Sequence, residues 1–505
     1  MLLQVVFTLC ALFTLISFLS SKRKSLPPGP TPWPILGNVP NFILAALQGK
    51  NAVQLLTEWK KAYGNVFTIW LGPMPAVNVC DYNTAVDAFV KTADAHTGRF
   101  RPMSIIASRG NLGLIFSDGA LWQEQRRFSL HVLRNFGVGR NLMQQRILDE
   151  CNFWFDFMDS QIEEKASNVL NPADIFDPMV GSIINRMLTG KRFDETNMEE
   201  FYKLKHGLDQ VSNSATAFDH ALLRPINANL PIFKQRVAHL TQPQIDLKNV
   251  FVKLYKERTS QIAAGTYTLC YDDPSDYVDA YLIEMEKRKR NGDSMGYFSE
   301  ESLAVNMLDL WFAGMETTIL TILWSIIHIL NNPEVQIKAR EEILKCTGGN
   351  RDVEMADKKN LPYFSAVVTE TQRHASILNF NLWHKTTTKT MVGEYLIPEG
   401  VTIAPQLSVI MSNEDEFKDS DKFIPERFLN TRLEQQVVPF SIGKRACLGE
   451  SLARAELFLI LGNMLQRYRI SVPEGQSAPS TKPLKQFGFM HRTRPFEAAF
   501  EKIAC

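Results

Sequence analysis

The hydrophobic pattern divides the chain into three unlike parts. Met1 to Ser20 is an almost unbroken apolar run with Gln4 as its only strongly polar side chain, about the ~20 residues that cross a bilayer core. Ser21-Lys22-Arg23-Lys24 follows at once, and a basic cluster on that flank keeps its side of a membrane anchor in the cytosol. A cleaved signal fits less well, because the charge comes after the apolar stretch and no small-x-small site follows it. Residues 21–34 close with five prolines between Pro27 and Pro34, a composition that excludes helix and makes a stiff hinge. Residues 35–505 are then one folded body, behind an anchor at 1–20.

Within that body most apolar residues recur at helical spacing. Val66–Leu71 and Ala76–Cys80 are β-favouring runs about Gly72-Pro73 and predict a hairpin. A second hairpin is expected over Gly393–Gly400, and a helix start at Ser117-Asp118-Gly119. Residues 141–290 are helical in pattern and chemically quiet. Ser302–Leu330 predicts an apolar helix roughly 45 Å long. Asp309, Glu316 and His328 lie within it, and charges there are costly in lipid, so a core helix is expected rather than a second span. Ser451–Tyr468 predicts another buried helix through Leu452, Ala455, Leu457 and Phe458. The fold class is mainly α with small β regions.

Composition changes this picture little. Hydrophobic residues at 45% and charged ones at 22% suit a large core, and a net charge of +1 gives no reason to expect nucleic acid. The seven cysteines are scattered without a C-x-x-C pair, which argues for a reducing compartment and against zinc.

Chemistry concentrates in three places. The first is Phe440-Ser441-Ile442-Gly443-Lys444-Arg445-Ala446-Cys447-Leu448-Gly449-Glu450, a lone thiol in a glycine-punctuated loop running into a helix. Gly443 and Gly449 allow backbone geometry or close approach that a side chain would obstruct. The helix end should ease formation of a thiolate. A lone Cys is otherwise a small buried hydrophobe. The second is Ala313-Gly314-Met315-Glu316-Thr317-Thr318 in the long helix. Small residues at 313 and 314 would admit a flat cofactor, Thr317 can divert a backbone carbonyl, and Glu316 is placed to carry a proton. The alternative is a packed Thr and a Glu turned to solvent. The third is Trp122 and Arg126, four apart on one helical face.

The loop Phe-x-x-Gly-x-Arg-x-Cys-x-Gly resembles the haem-binding signature of the cytochrome P-450 superfamily, and the other motifs follow in that family's order over nearly the whole chain. The resemblance implies the cytochrome P-450 fold, a helical haem-enclosing body with a long I helix, and haem b ligated by Cys447. It implies propionate donors at Trp122, Arg126, Arg445 and His384, although Trp383 replaces the usual proline before that histidine. Ala313, Gly314, Phe440, Gly443 and Gly449 would border the cofactor. Glu316 and Thr317 would relay protons. Glu370 and Arg373, with Arg427 of Pro425-Glu426-Arg427-Phe428, would form a structural triad.

The implied activity is insertion of one atom of O2 into a lipophilic xenobiotic or fatty acid, as in family-2-like microsomal animal enzymes. The implied partners are an NADPH-dependent reductase, cytochrome b5 and membrane lipid, and the implied setting is the endoplasmic reticulum membrane, single-pass, with a cytosolic catalytic domain. The substrate pocket should be roofed by residues 201–240 and walled by Ala313–Thr317 and the Ser376–Phe380 loop. Two other readings use the same loop: a reductase-independent haem-thiolate isomerase or dehydratase, and a haem sensor or carrier.

Overall fold

Helices α1 (Val39–Leu47) and α2 (Ala52–Tyr63) precede a hairpin of β1 (Val66–Leu71) and β2 (Met74–Val79), in which Val66 pairs with Val79 and Leu71 with Met74. The computed structural model describes residues 25–503 apart from 137–140, 217–218, 220–221 and 486. The apolar run 1–20, its basic flank and their reading as an anchor lie outside the described residues. After β3 (Gly98–Arg99) come α3 (Met103–Arg109), α4 (Gly119–Asn135), α5 (Asn141–Lys165), β4 (Val169–Leu170) and α6 (Ala173–Thr189). Next are α7 (Met198–Ser214), α8 (Pro231–Ala263), α9 (Tyr277–Asn291), α10 (Glu300–Asn331), α11 (Pro333–Thr347) and α12 (Pro362–Ala375). Short strands β5 (His384–Lys385), β6 (Thr390–Val392), β7 (Tyr395–Ile397) and β8 (Thr402–Pro405) lead to α13 (Glu450–Arg467), β9 (Tyr468–Ser471) and β10 (Ala498–Lys502).

One five-stranded sheet runs in the order β1-β2-β8-β5-β3. It joins the two ends of the chain: Ala76 of β2 lies beside Thr402 of β8, and Arg99 of β3 is the cross-strand partner of His384 in β5. Gly98 permits that last pairing, since a Cβ there would fall 2.8 Å from the Lys385 carbonyl oxygen. The second hairpin turns at Gly393, whose φ of +59° suits glycine. Its strands therefore flank that residue, and pairing begins at Thr390 rather than at Gly393 itself.

The proline-rich segment is a docked strut, not a free spacer. The Pro28 carbonyl accepts the Thr68 amide of β1 at 2.8 Å, and a Cβ on Gly29 would meet the Thr68 carbonyl. Asn38 fastens it further, taking the Trp70 amide on Oδ1 and donating Nδ2 toward the Pro30 and Thr31 carbonyls.

Helix α10 is the axis of the body. Ser299 caps it by accepting the Ser302 amide, and nearly every residue from Ser302 to Leu330 is buried in protein, Asp309, Glu316 and His328 included. The core-helix reading holds. Gly314 lets α6 approach: a Cβ there would fall 2.6 Å from Ile184.

Candidate active site

The Cys447 loop is shaped by its own backbone. The Phe440 carbonyl accepts the Cys447 amide at 2.8 Å, and the Gly443 carbonyl accepts that of Ala446 at 3.0 Å. Gly443 has φ +80°, and a Cβ would lie 1.8 Å from the Phe89 carbonyl oxygen, so no other residue fits. Gly449 differs: its φ is −93°, and a Cβ would meet no protein atom. The Phe440 ring is covered by Arg454, whose guanidinium carbon is 4.8 Å from the ring centroid. The thiol is reachable from solvent yet sits deep among protein atoms. Burial pushes its pKa up, against the opposing pull of the Gly449 amide and Arg126.

Beside the loop lies a cluster of buried cations satisfied by carbonyls rather than carboxylates. Arg445 donates Nε to Thr97 O (2.8 Å) and Nη2 to Ser117 O (2.6 Å), stacks 3.7 Å from the Trp122 ring, and leaves Nη1 buried and unpartnered. Arg126 donates to Ala446 O at 2.6 Å, and Trp122 Nε1 is buried with no acceptor. Arg99 reaches Ile115 O and Leu382 O. His384 Nδ1 contacts His96 O at 2.7 Å, and both ring nitrogens of His96 are unpartnered. Burial and mutual repulsion lower Arg99 to about 9 and Arg445 to about 8, and burial lowers His96 to about 4. Such a set is complete only with a ligand carrying negative charge. Arg99 and His96 were not anticipated from sequence; their one signal is a Gly-Arg dipeptide whose partner lies in β5.

The expected triad is assembled. Glu370 accepts Arg373 Nε (2.7 Å) and Nη2 (2.9 Å), then Arg427 Nε (3.2 Å) and the Ile424 amide (2.9 Å). Arg373 also donates to Met411 O and Ser420 O.

On α10, successive residues point apart. Ala313 and Thr317 line a cavity of about 320 Å³, bordered also by Val211, Ser212, Leu378 and Phe380, in keeping with the expected roof and walls. Thr317 Oγ1 donates to Ala313 O at 2.6 Å. Gly314 faces Ile184 of α6, so helix packing there already requires its small size. Glu316, 1% exposed, turns to Lys205 of α7 (2.5 Å) and to Arg492 (2.7 Å). Asp209 shares Arg492 at 2.7 Å. Both carboxylate oxygens of Glu316 are occupied by cations, so proton carriage through it requires one of these pairs to open.

A loop-held thiol, a buried cation cluster whose side chains are met by carbonyls with one carboxylate, Asp118, at its edge, and a largely apolar chamber walled by a threonine-bearing core helix together fit a haem-thiolate oxygenase. The sequence comparisons carry this to a family: the chain belongs to the cytochrome P450 family, whose model matches residues 27–500. It is 36% identical over 453 residues to the probable cytochrome P450 cyp-35D1 of Caenorhabditis elegans, covering 89% of this chain and 90% of that protein. It is 34% identical to cytochrome P450 2C2 of Oryctolagus cuniculus, covering 92% of this chain and 93% of that protein. For human cytochrome P450 2U1 the identity is 30%, covering 98% and 93%. The protein is a cytochrome P450 monooxygenase with haem b as cofactor.

Proposed function

We propose that this monooxygenase inserts oxygen from O2 into an uncharged or weakly polar lipophile, using electrons from an NADPH-dependent reductase with cytochrome b5 as a second donor. Bound haem b supplies the redox and oxygen-activating chemistry. The residues of this chain hold and shape it. Cys447 would hold the iron through its thiolate. Arg99, Arg126, Arg445, Trp122 and His384 receive the propionates, and Glu370, Arg373 and Arg427 hold the neighbouring backbone. Thr317 holds a proton at Oγ1 on the cavity wall, and Glu316 supplies one when Lys205 or Arg492 releases it. The observation that carries the reading is the cavity itself, apolar and bordered by Thr317.

Membrane association is supported by an apolar surface outside the core. Trp33, Ile35 and Leu47 are exposed, as are Ile226, Leu230 and Ile232, and Arg224 brings this second group to β1 through Leu71 O. Such a patch fits a lipid interface, with residues 1–20 as the single span and the body on the cytosolic face of the endoplasmic reticulum. Arg127 and Arg134 on α4 offer positive charge to an acidic reductase; Arg140 lies outside the described residues.

An isomerase or dehydratase, or a haem carrier, leaves Thr317 without a task. Reconstitution with reductase and NADPH separates these readings: product is expected only with both. Thr317→Ala should divert consumed O2 to peroxide, read as the ratio of product to NADPH. Cys447→His should abolish the red-shifted ferrous–CO band of thiolate ligation. Product formed without NADPH, or unaltered coupling in Thr317→Ala, contradicts the proposal.

A further inference from the structure

The chamber is largely apolar, with hydroxyls and one amide spaced along it (Ser212, Thr216, Thr317 and Asn381), and where α3, α8 and α10 meet it carries two stronger donors that are incompletely paired. Arg109 of α3 gives Nη1 to Asp309 of α10, lies 5.4 Å from the Phe116 ring centroid, and keeps a buried Nε with no partner. Gln244 of α8 accepts Ser108 Oγ on Oε1 at 3.0 Å, while its Nε2 reaches only the Leu240 carbonyl of its own helix, at 3.5 Å. Arg109 and Gln244 both line the cavity, and Ser108, adjacent to Arg109, ties the two together. Asp309 precedes Thr317 by just over two turns, about 12 Å along α10. The polar end is therefore remote from the Thr317 end.

The charge at that end is already balanced. Asp309 neutralises Arg109, and its Oδ2 accepts the Leu114 and Ile115 amides at 2.7 and 2.9 Å. Among the described residues, Arg109 is the one charged side chain lining the cavity. A carboxylate placed there would lose its hydration beside a pair with no net charge to offer. A carbonyl oxygen requires only donors, and two stand ready.

We propose that Arg109 Nε and Gln244 Nε2 form a subsite for a neutral hydrogen-bond acceptor. The substrates are elongated uncharged lipophiles with a carbonyl-type oxygen at one end, whose far end is presented at Thr317. The orientation rests on the monooxygenase reading; the subsite itself does not.

Calorimetric titration of the full-length, haem-loaded enzyme with dodecanamide and with dodecanoate tests the subsite without turnover. The amide is expected to bind at least about tenfold more tightly. Gln244→Glu keeps an acceptor for Ser108 but removes the donor, and Arg109→Lys keeps the charge opposite Asp309 but removes Nε. Each should weaken the amide about tenfold while leaving dodecylbenzene, which has no acceptor, unchanged; that ligand also reports an intact cavity. Carboxylate binding as tight as amide binding, or amide affinity unmoved by both variants, overturns the subsite. With reductase and NADPH, oxidation near the methyl end of dodecanamide supports the orientation, and oxidation beside the amide overturns it. No product from any ligand, with the binding order intact, refutes the monooxygenase reading and leaves the subsite standing.

Discussion

Arg373 and Arg445 are both almost wholly buried, at 2% and 6% exposure, yet their charges are met in opposite ways. Arg373 faces the two oxygens of Glu370, which also holds Arg427. Arg445 has carbonyl dipoles, the face of Trp122, three neighbouring arginines that repel it and only the more distant pull of Asp118 in its favour. A cluster built round its own carboxylate belongs to the fold, because removing that carboxylate strands two buried guanidiniums. A cluster that repels itself belongs to a ligand, because the protein alone does not complete it. The same side chain, at similar burial, is closed by a carboxylate in one place and keeps an unpartnered Nη1 in the other.

The largest effect should come from breaking the closed cluster. Glu370→Ala leaves two buried guanidiniums without their carboxylate, a loss of roughly 3–5 kcal/mol. Denaturant unfolding should show it equally with and without haem. Arg445→Met tests the open cluster: the haem-free protein should change little, since a self-repelling cation is traded against two lost carbonyl contacts. The haem-loaded protein should lose about 1.5–3 kcal/mol of cofactor affinity, measured as haem release to an acceptor globin. A fall in haem-free stability as large as that of Glu370→Ala would erase the distinction between the clusters.

Glu456 of α13 sharpens the comparison from the acidic side. It is buried like Glu370 but has Thr318 Oγ1 on Oε2 at 3.0 Å and nothing on Oε1, and burial pushes its pKa up to about 8. Its ordinary value is 4.5, so between those limits the folded state keeps a proton that the unfolded state releases. Stability then falls as pH rises through that window. Glu456→Gln should flatten this fall, with melting temperatures converging at acid pH and the variant the more stable at alkaline pH. Smallest is Lys205→Met: Glu316 keeps Arg492, so a stability loss of roughly 1 kcal/mol is expected. A changed pH profile of coupled turnover would tie that pair to proton supply.

Much of the site was legible because its residues are close in sequence or fixed in type. The loop from Phe440 to Gly449, the helix centred on Ala313–Thr317 and the order of Glu370, Arg373 and Arg427 each carry a local pattern. Arg99 carried none: it reaches Leu382, 283 residues away, through β3 and β5 pairing. That the Gly314 position faces Ile184 of α6 was not legible, because a one-letter pattern does not say which way a helix face turns. Glu316 was legible as an unusual acid in an apolar helix, while its partners on α7 and near the C-terminus were not.

Sequence alone determined the thiol loop, the long core helix and the family, because these depend on local backbone geometry and on residue types at fixed spacing. Tertiary structure decided which charges are neutralised and which stand open, because burial and distance between remote segments set the cost of an unpaired charge. That decision separates Glu370 from Glu456 and Arg373 from Arg445.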